Sequence, residues 1–221
     1  MSAPPTGPVW VVVVAGGSGT RFGGPKQFAE LRGRTLMDWS LAAARAVADG
    51  VVLVVPADAV ADARLAPCAA AADAVVAGGP RRADSVRAGL AAVPEEAAVI
   101  VVHDGARPLA TPALFAAVVA AVADGADAAV PGLAVADTLK RVEEDVVRAT
   151  EPRQGLVAVQ TPQAFRAEVL RRAHAAGDDA TDDAALVEAL GATVRVVPGE
   201  RRNLKVTDRL DLEVADALAG P

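Results

Sequence analysis

One stretch of the chain, Ala15-Gly16-Gly17-Ser18-Gly19-Thr20-Arg21-Phe22-Gly23-Gly24-Pro25-Lys26-Gln27, joins a run of glycines to two fixed positive charges. Glycine lets backbone N–H groups approach an anion with no Cβ in the way, so such a loop is suited to phosphate oxygens. Arg21 and Lys26 would add formal charge beside those donors. Two familiar phosphate loops do not fit. The dinucleotide fingerprint needs Gly-x-Gly-x-x-Gly, and after Gly17 and Gly19 the third position is Phe22. The acidic ribose ligand is missing as well, since Val55 is followed by Pro56. A Walker loop needs Gly-Lys-Ser/Thr, whereas Gly24 is followed by Pro25-Lys26-Gln27. The alternative is a flexible strand-to-helix connection with solvated charges, but glycines joined to Arg and Pro-Lys in one loop favour the phosphate reading.

Further chemistry-bearing residues follow in chain order. His103-Asp104-Gly105-Ala106-Arg107-Pro108 places a carboxylate and a guanidinium close together, suited to a metal-bound phosphate and a second anion, or to a strand-end ion pair. His103 itself reads as a structural histidine rather than a base. Gly78-Gly79 and Ser85 could read a pyrimidine edge, or form a turn with Asp84 or Ser85 capping a helix from Val86 onward. Arg153 alone reads as solvated surface. Asp182 and Asp183 could cap and charge a helix, and for Asp183 this is the preferred reading. The lone Cys68 excludes an intramolecular disulfide and a thiolate cluster, and is read as a small core residue. With only His103 and His174 besides, a zinc site would need carboxylates.

The elements that must position these groups show in the apolar pattern. Continuous β-branched runs at 9–14, 51–55, 74–77, 99–102 and 128–130 suit strands buried on both faces. Helical segments are expected at 36–48, 59–71, 84–92 and 112–123, with Asp58 and Thr111 at cap positions and Pro112 in a first turn. Alternating strand and helix predicts an α/β fold with a mostly parallel, Rossmann-like twisted sheet flanked by helices. The glycine loop and the His103-Asp104 segment then both fall at the carboxyl edge, where open sheets bind ligands. The rhythm breaks after Pro131. Residues 133–148, with the acidic turn Glu143-Glu144-Asp145, read as a hairpin or arm. Helices return at 163–176 and 181–190, then a strand at 193–197 and a last helix at about 207–218. The whole, residues 1–221, reads as one domain, with a frayed leader at 1–8 and an arm at about 133–157.

The 221 residues carry a net charge of −6, which argues against nucleic acid as a partner. No apolar run approaches the length of a membrane span, and the run 9–15 is strand-sized with no basic region ahead of it, so neither membrane nor signal peptide is expected. A cytoplasmic protein acting on a small molecule is the expectation. Aromatics are only 3%, so the core must be built from Ala, Val and Leu.

The glycine loop with its Pro-Lys-Gln resembles the nucleotidyltransferases that join a sugar or polyol phosphate to a nucleotide. Six further motifs narrow this: Gly78-Gly79…Arg82-Ala83-Asp84-Ser85-Val86, His103 to Pro108, Asp137-Thr138-Leu139-Lys140, Gln160-Thr161-Pro162-Gln163, Thr181-Asp182-Asp183 and Asn203-Leu204-Lys205-Val206-Thr207. In that order they resemble the 2-C-methyl-D-erythritol 4-phosphate cytidylyltransferase family from about residue 9 to 218. The resemblance implies CTP contacts at Ala15, Gly16, Gly17, Gly19, Thr20, Gly79, Ser85 and Asp104. It implies polyol-phosphate contacts at Asp104, Arg107, Thr138 and Thr181. Catalytic charges would be Arg21, Lys26, Arg153 and Lys205, with Mg²⁺ held mainly by CTP phosphates near Asp104. It implies a homodimer with composite sites, in which Arg153 at the end of the arm serves the partner's site. The chain departs from the family in having only three residues between Arg21 and Pro25, and in Ala15-Gly16-Gly17 where Ala-Ala-Gly is usual. A ribitol 5-phosphate cytidylyltransferase and a non-catalytic nucleotide sensor stand as alternatives; a dinucleotide oxidoreductase fails on spacing.

Overall fold

The computed structural model describes residues 5–16, 22, 24, 26–176, 180 and 182–220. In chain order its strands and helices are β1 (Val9–Val14), β2 (Glu30–Leu31), β3 (Arg34–Thr35), α1 (Leu36–Arg45), β4 (Gly50–Val55), α2 (Ala66–Ala70), β5 (Ala74–Ala77), α3 (Arg82–Ala91), β6 (Val99–Asp104) and α4 (Pro112–Ala123). The second half adds β7 (Ala128–Ala134), β8 (Leu139–Glu143), β9 (Val146–Glu151), β10 (Val157–Val159), β11 (Gln163–Arg166), α5 (Ala167–Ala175), α6 (Asp183–Ala189), β12 (Val194–Pro198) and α7 (Arg209–Ala219).

Eight strands form the main sheet, in the order β10-β7-β11-β6-β1-β4-β5 with β12 on β7. The strands β6, β1, β4 and β5 are parallel neighbours, β12 runs parallel to β7, and β11 runs against both β6 and β7. The fold is therefore the expected α/β arrangement, with a mixed but mostly parallel sheet. Side chains alternate across β1 with the two-residue period of a strand. Val11 and Val13 enter the core beneath α1 and α4, and Val12 enters the opposite core beneath α3 and α5. Few large side chains are available, so small ones must fit closely. A Cβ on Gly89 of α3 would lie 2.4 Å from a methyl of Val12. Only glycine lets that helix lie so near the sheet.

Several boundaries move. The helix expected over 163–176 begins only at Ala167, because 163–166 form β11 and fill the gap between β6 and β7. Ala164 points into one core and Phe165 into the other, a strand alternation hidden by the helical spacing that follows. The segment 59–71 is not one helix. It breaks into 3-10 turns at Ala57–Ala59 and Ala63–Leu65 before α2, and Asp58 caps nothing. The third helix starts at Arg82, two residues early, with Arg81 at the N-cap position; Asp84 supports that end from inside the first turn, accepting from the Arg81 backbone N–H (3.3 Å), and neither Asp84 nor Ser85 is the N-cap residue. Thr111 does cap α4, accepting from Leu114 N–H at 3.1 Å, and Asp182 caps α6 in the same way at 3.0 Å.

Strands β8 and β9 pair only with each other, as an exposed hairpin over the span expected for the arm. Of the expected leader, residues 1–4 lie outside the described residues, and the Pro8 carbonyl accepts from Ala98 N–H at 2.9 Å. Among the described residues no helix is long and apolar enough to cross a membrane.

Candidate active site

The register sets Val14, at the end of β1, beside Val54 on one flank and Asp104 on the other. Three strand ends therefore finish level, and the loops leaving them are stitched to neighbouring strands. Ala15 N–H donates to Val54 (2.7 Å), Gly78 N–H to Val55 (2.7 Å) and Gly105 N–H to Val14 (2.9 Å). Above this edge opens a cavity of about 870 Å³, a size that suits a nucleotide. Ala15, Gly16, Lys26, Gly79, Ser85, Asp104 and Lys205 all line it. So does Arg82, quoted within a motif but given no role from the sequence.

Ser85 closes one end. Its hydroxyl lies 3.3 Å from the Gly79 carbonyl and 3.2 Å from that of Arg81. A Cβ on Gly78 would come within 2.7 Å of this oxygen, so glycine is required there by close approach. At the other end Lys26 rises from a 3-10 turn and donates to the Val206 carbonyl at 3.1 Å. Among the described residues the cavity is lined by five cations (Lys26, Arg64, Arg81, Arg82 and Lys205) against three carboxylates (Asp58, Asp62 and Asp104). An acidic chain has thus gathered positive charge at one place, which draws in and holds anions.

Asp104 is the centre of that charge. Lys205 Nζ lies 2.8 Å from its Oδ2, Arg82 Nε 3.4 Å from its Oδ1, and Arg107 Nε 4.0 Å from Oδ2. Burial opposes ionisation, but the Arg82, Lys205 and Arg107 charges outweigh it and hold the carboxyl well below the usual range. Arg107 does not line the cavity. It sits behind Asp104 and donates to the Asn203 carbonyl at 2.8 Å.

The segment 203–206 thus carries Lys205 and also holds Lys26. It is tied down by groups that sequence reasoning left without a role. Asn203 Nδ2 donates to the Thr161 carbonyl (2.8 Å), Gln160 Nε2 to the Asn203 carbonyl (3.0 Å), and Val206 N–H to the Ala106 carbonyl (2.8 Å). Two buried amides from distant motifs pair only through tertiary structure. Their presence as Gln160-Thr161 and Asn203 was the one available signal.

His103 is structural, as expected. It is fully buried, with Nδ1 3.2 Å from Thr161 Oγ1 and Nε2 3.3 Å from the Arg107 carbonyl. A carbonyl only accepts, so the proton is assigned to Nε2 and Thr161 donates to Nδ1. Burial pushes the imidazole down to about 4 from 6.5. Between those values the unfolded chain binds a proton that the folded chain does not, so stability falls as pH drops through that window. The expected loss by pH 4 is roughly 3 kcal/mol. Urea unfolding of His103→Gln beside the native chain checks this: the variant should lack that part of the slope between pH 6.5 and 4.

Other expected residues fall elsewhere. Gly17, Gly19, Thr20, Arg21 and Thr181 lie outside the described residues. Thr138 is exposed just before β8, away from the cavity lining. Arg153 is exposed beyond β9, donates to the Ala136 carbonyl, and does not line its own chain's cavity. Asp183 stands in the first turn of α6, as the helix-charging reading expects, but its side chain is also buried against Arg82 and His174. The missed signal was its place three and four residues before Leu186 and Val187, on the helix's apolar face. Among the described residues no group of three or more His, Cys, Asp or Glu is gathered to hold a metal. Of the carboxylates lining the cavity, Asp104 is the one at the end of β6, and it offers a hard oxygen donor there. That fits Mg²⁺ when phosphate oxygens and water complete its shell.

The sequence profile of 2-C-methyl-D-erythritol 4-phosphate cytidylyltransferase matches residues 9–220. The chain belongs to that family. A cytidylyltransferase of this name from Rubrobacter xylanophilus is 44% identical over 215 residues, covering 94% of this chain and 93% of the relative. One from Rhodococcus opacus is 47% identical over 220 residues, covering 96% and 95%. The crystal structure of the cytidylyltransferase from Thermus thermophilus superposes with a TM-score of 0.80 at 38% identity, covering 94% of this chain and 97% of that one. The cytidylyltransferase family is that of a transferase enzyme. The cavity at the carboxyl edge brings Lys26, Asp104 and Lys205 together.

Proposed function

We propose that the chain transfers CMP from CTP to 2-C-methyl-D-erythritol 4-phosphate, giving 4-diphosphocytidyl-2-C-methyl-D-erythritol and pyrophosphate, a step in non-mevalonate isoprenoid precursor synthesis. The observation that carries this reading is the cationic cavity at the carboxyl edge, with Lys26 at one end and Lys205 on Asp104. An oxygen of the incoming phosphate bonds to the α-phosphorus, the bond to the bridging oxygen breaks, and the electron pair leaves with pyrophosphate. The nucleophile is already an anion, so no general base is needed, in keeping with a buried, neutral His103.

The difficulty is bringing one anion to another and holding the charge that develops. Positioning and preorganised cations supply this. Lys26 is assigned to the α-phosphate and the departing pyrophosphate, as is Arg21 on its place in the sequence. Ser85, Gly79 and the turn at Ala15-Gly16 take the cytidine end. Lys205 holds the polyol phosphate. Asp104 would hold Mg²⁺ together with the triphosphate, and the bound ion would draw charge from the phosphate oxygens.

The reading includes a homodimer and a cytoplasmic location. The hairpin β8–β9 exposes Val142, Val146 and Val147, an apolar surface suited to burial against a second copy. Arg153 then has its role in the partner's cavity rather than its own. Arg153→Ala should raise the KM for the polyol phosphate at least tenfold, or lower kcat, while CTP binding persists. Loss of CTP binding in that variant contradicts the assignment.

The test is pyrophosphate release with Mg²⁺ and CTP, offering 2-C-methyl-D-erythritol 4-phosphate and ribitol 5-phosphate in parallel. Release with the first alone supports the reading. Release with ribitol 5-phosphate alone overturns the substrate, and silence with both overturns the activity.

A further inference from the structure

The charges around Asp104 continue inward through Arg82 to Asp183 and His174, two groups that do not themselves line the cavity. Arg82 stands in the first turn of α3 with a foot on two carboxylates. Its Nε is 3.4 Å from Asp104 Oδ1, and its Nη1 is 2.7 Å from Asp183 Oδ2. Asp183 opens α6, and its side chain is 1% exposed. The other oxygen, Oδ1, is 3.0 Å from Nε2 of His174, a buried residue of α5. A carboxylate only accepts, so His174 is assigned the Nε2–H tautomer and donates.

Three helices are thereby joined through one buried carboxylate. An acid serving only the electrostatics of a helix start has no need of burial, since the same effect is available at the surface. Burying a carboxylate is unfavourable unless both of its oxygens are well paired, and Asp183 pairs each with a different partner. What the pairing secures is geometry. A guanidinium is a planar fork, so fixing one N–H direction fixes the others. Arg82 lines the cavity, and the remaining N–H groups of the fork are therefore held in a set orientation beside Asp104 and Lys205.

We propose that Asp183, held in turn by His174, is a positioning residue for the transfer site. It locks Arg82 in the orientation that receives the phosphate of the incoming polyol phosphate. This rests on the cytidylyl-transfer reading above.

The experiment is a double-substitution cycle on the full-length enzyme, with steady-state kinetics and CTP affinity by calorimetry. Asp183→Asn should lower kcat/KM for 2-C-methyl-D-erythritol 4-phosphate about 20- to 100-fold while the CTP Kd stays within about threefold. In an Arg82→Gln background the same substitution should cost less than about threefold more, because the group it positions is gone. Independent losses that multiply, or an Asp183→Asn enzyme near native activity, overturn the proposal. If Asp183→Asn does not fold, His174 asks the same question one step further out. His174→Gln keeps an N–H donor and should stay within about threefold of native, whereas His174→Leu should lose about tenfold, again only while Arg82 is present. Equal activity of those two variants overturns the proposal. A native enzyme silent toward both polyol phosphates overturns the transfer reading, and this one with it; an active native enzyme with additive variants overturns the positioning role alone.

Discussion

Replacing Lys26 with alanine should lower kcat on the order of 10²–10³-fold, equivalent to roughly 3–4 kcal/mol of lost transition-state stabilisation. The ammonium lines the cavity and is steadied by the Val206 carbonyl at 3.1 Å, so its position is set before any ligand arrives. A preorganised charge spends little on reorganisation as the α-phosphorus becomes crowded and the pyrophosphate takes up charge. The loss should therefore fall mainly on kcat, with the KM for CTP moving less. Lys26→Arg, with the charge kept but its point of attachment altered, should lie between the two. Single-turnover pyrophosphate release measures this directly, and an alanine variant within a few fold of native removes Lys26 from the chemistry.

The second large effect is expected at Asp104, and it is one of stability as much as of rate. Arg82, Arg107 and Lys205 converge on this one carboxylate. Asp104→Asn keeps the shape and removes the counter-charge, leaving Arg107 and Lys205 without it. Breaking a buried pair from one side costs about 3–5 kcal/mol. For a chain of this size that is a fall in Tm on the order of 10 °C. The sign of the pH dependence follows from the lowered carboxyl. Asp104 ionises in the folded state below the usual carboxylate range, so its contribution is fully present above the unfolded value and is lost only as pH falls through the lower folded one. The deficit of the variant should thus be constant from pH 8 to 5 and shrink in stronger acid. A deficit that disappears already by pH 6 assigns the stabilisation elsewhere.

Much of this was legible before any coordinates. The apolar runs marked five strands of the sheet because strands such as β1, β4 and β6, buried on both faces, tolerate little that is polar, while β5 at the edge is only partly buried. The charges at Lys26, Asp104 and Lys205 could be placed at one edge because each follows a strand or sits in a motif loop. What stayed hidden has physical reasons. Strand β11 pairs antiparallel between two distant partners, and nothing local in Gln163 to Arg166 specifies that neighbour. Residues 59–71 have helical composition, but their backbone breaks into short turns that line the cavity through Ala59, Asp62 and Arg64. Asp183 does charge the first turn of α6, but that role gives no sign of its burial. The apolar face it shares with Leu186 and Val187 pointed inward. Arg82 could not be singled out from Arg81 beside it, since only the turn of α3 decides which of the two reaches Asp104.

The core of small side chains has a consequence for how this sequence can drift. Phe115 and Phe165 head the largest fully buried side chains, whereas β1, β4 and β6 are filled chiefly by valine. Shortening a buried valine to alanine costs about 2 kcal/mol and leaves a small void, which a single site can absorb. Enlargement is different, because Gly89 already lies against Val12 and Gly50 against the Trp10 ring with no room for a methyl group. Tolerance is therefore one-sided: the interior can give up atoms more readily than it can take them in. Lineages of this chain can lose a methyl group in the sheet at one site at a time, and are confined most tightly at Gly89, where a helix lies on a strand.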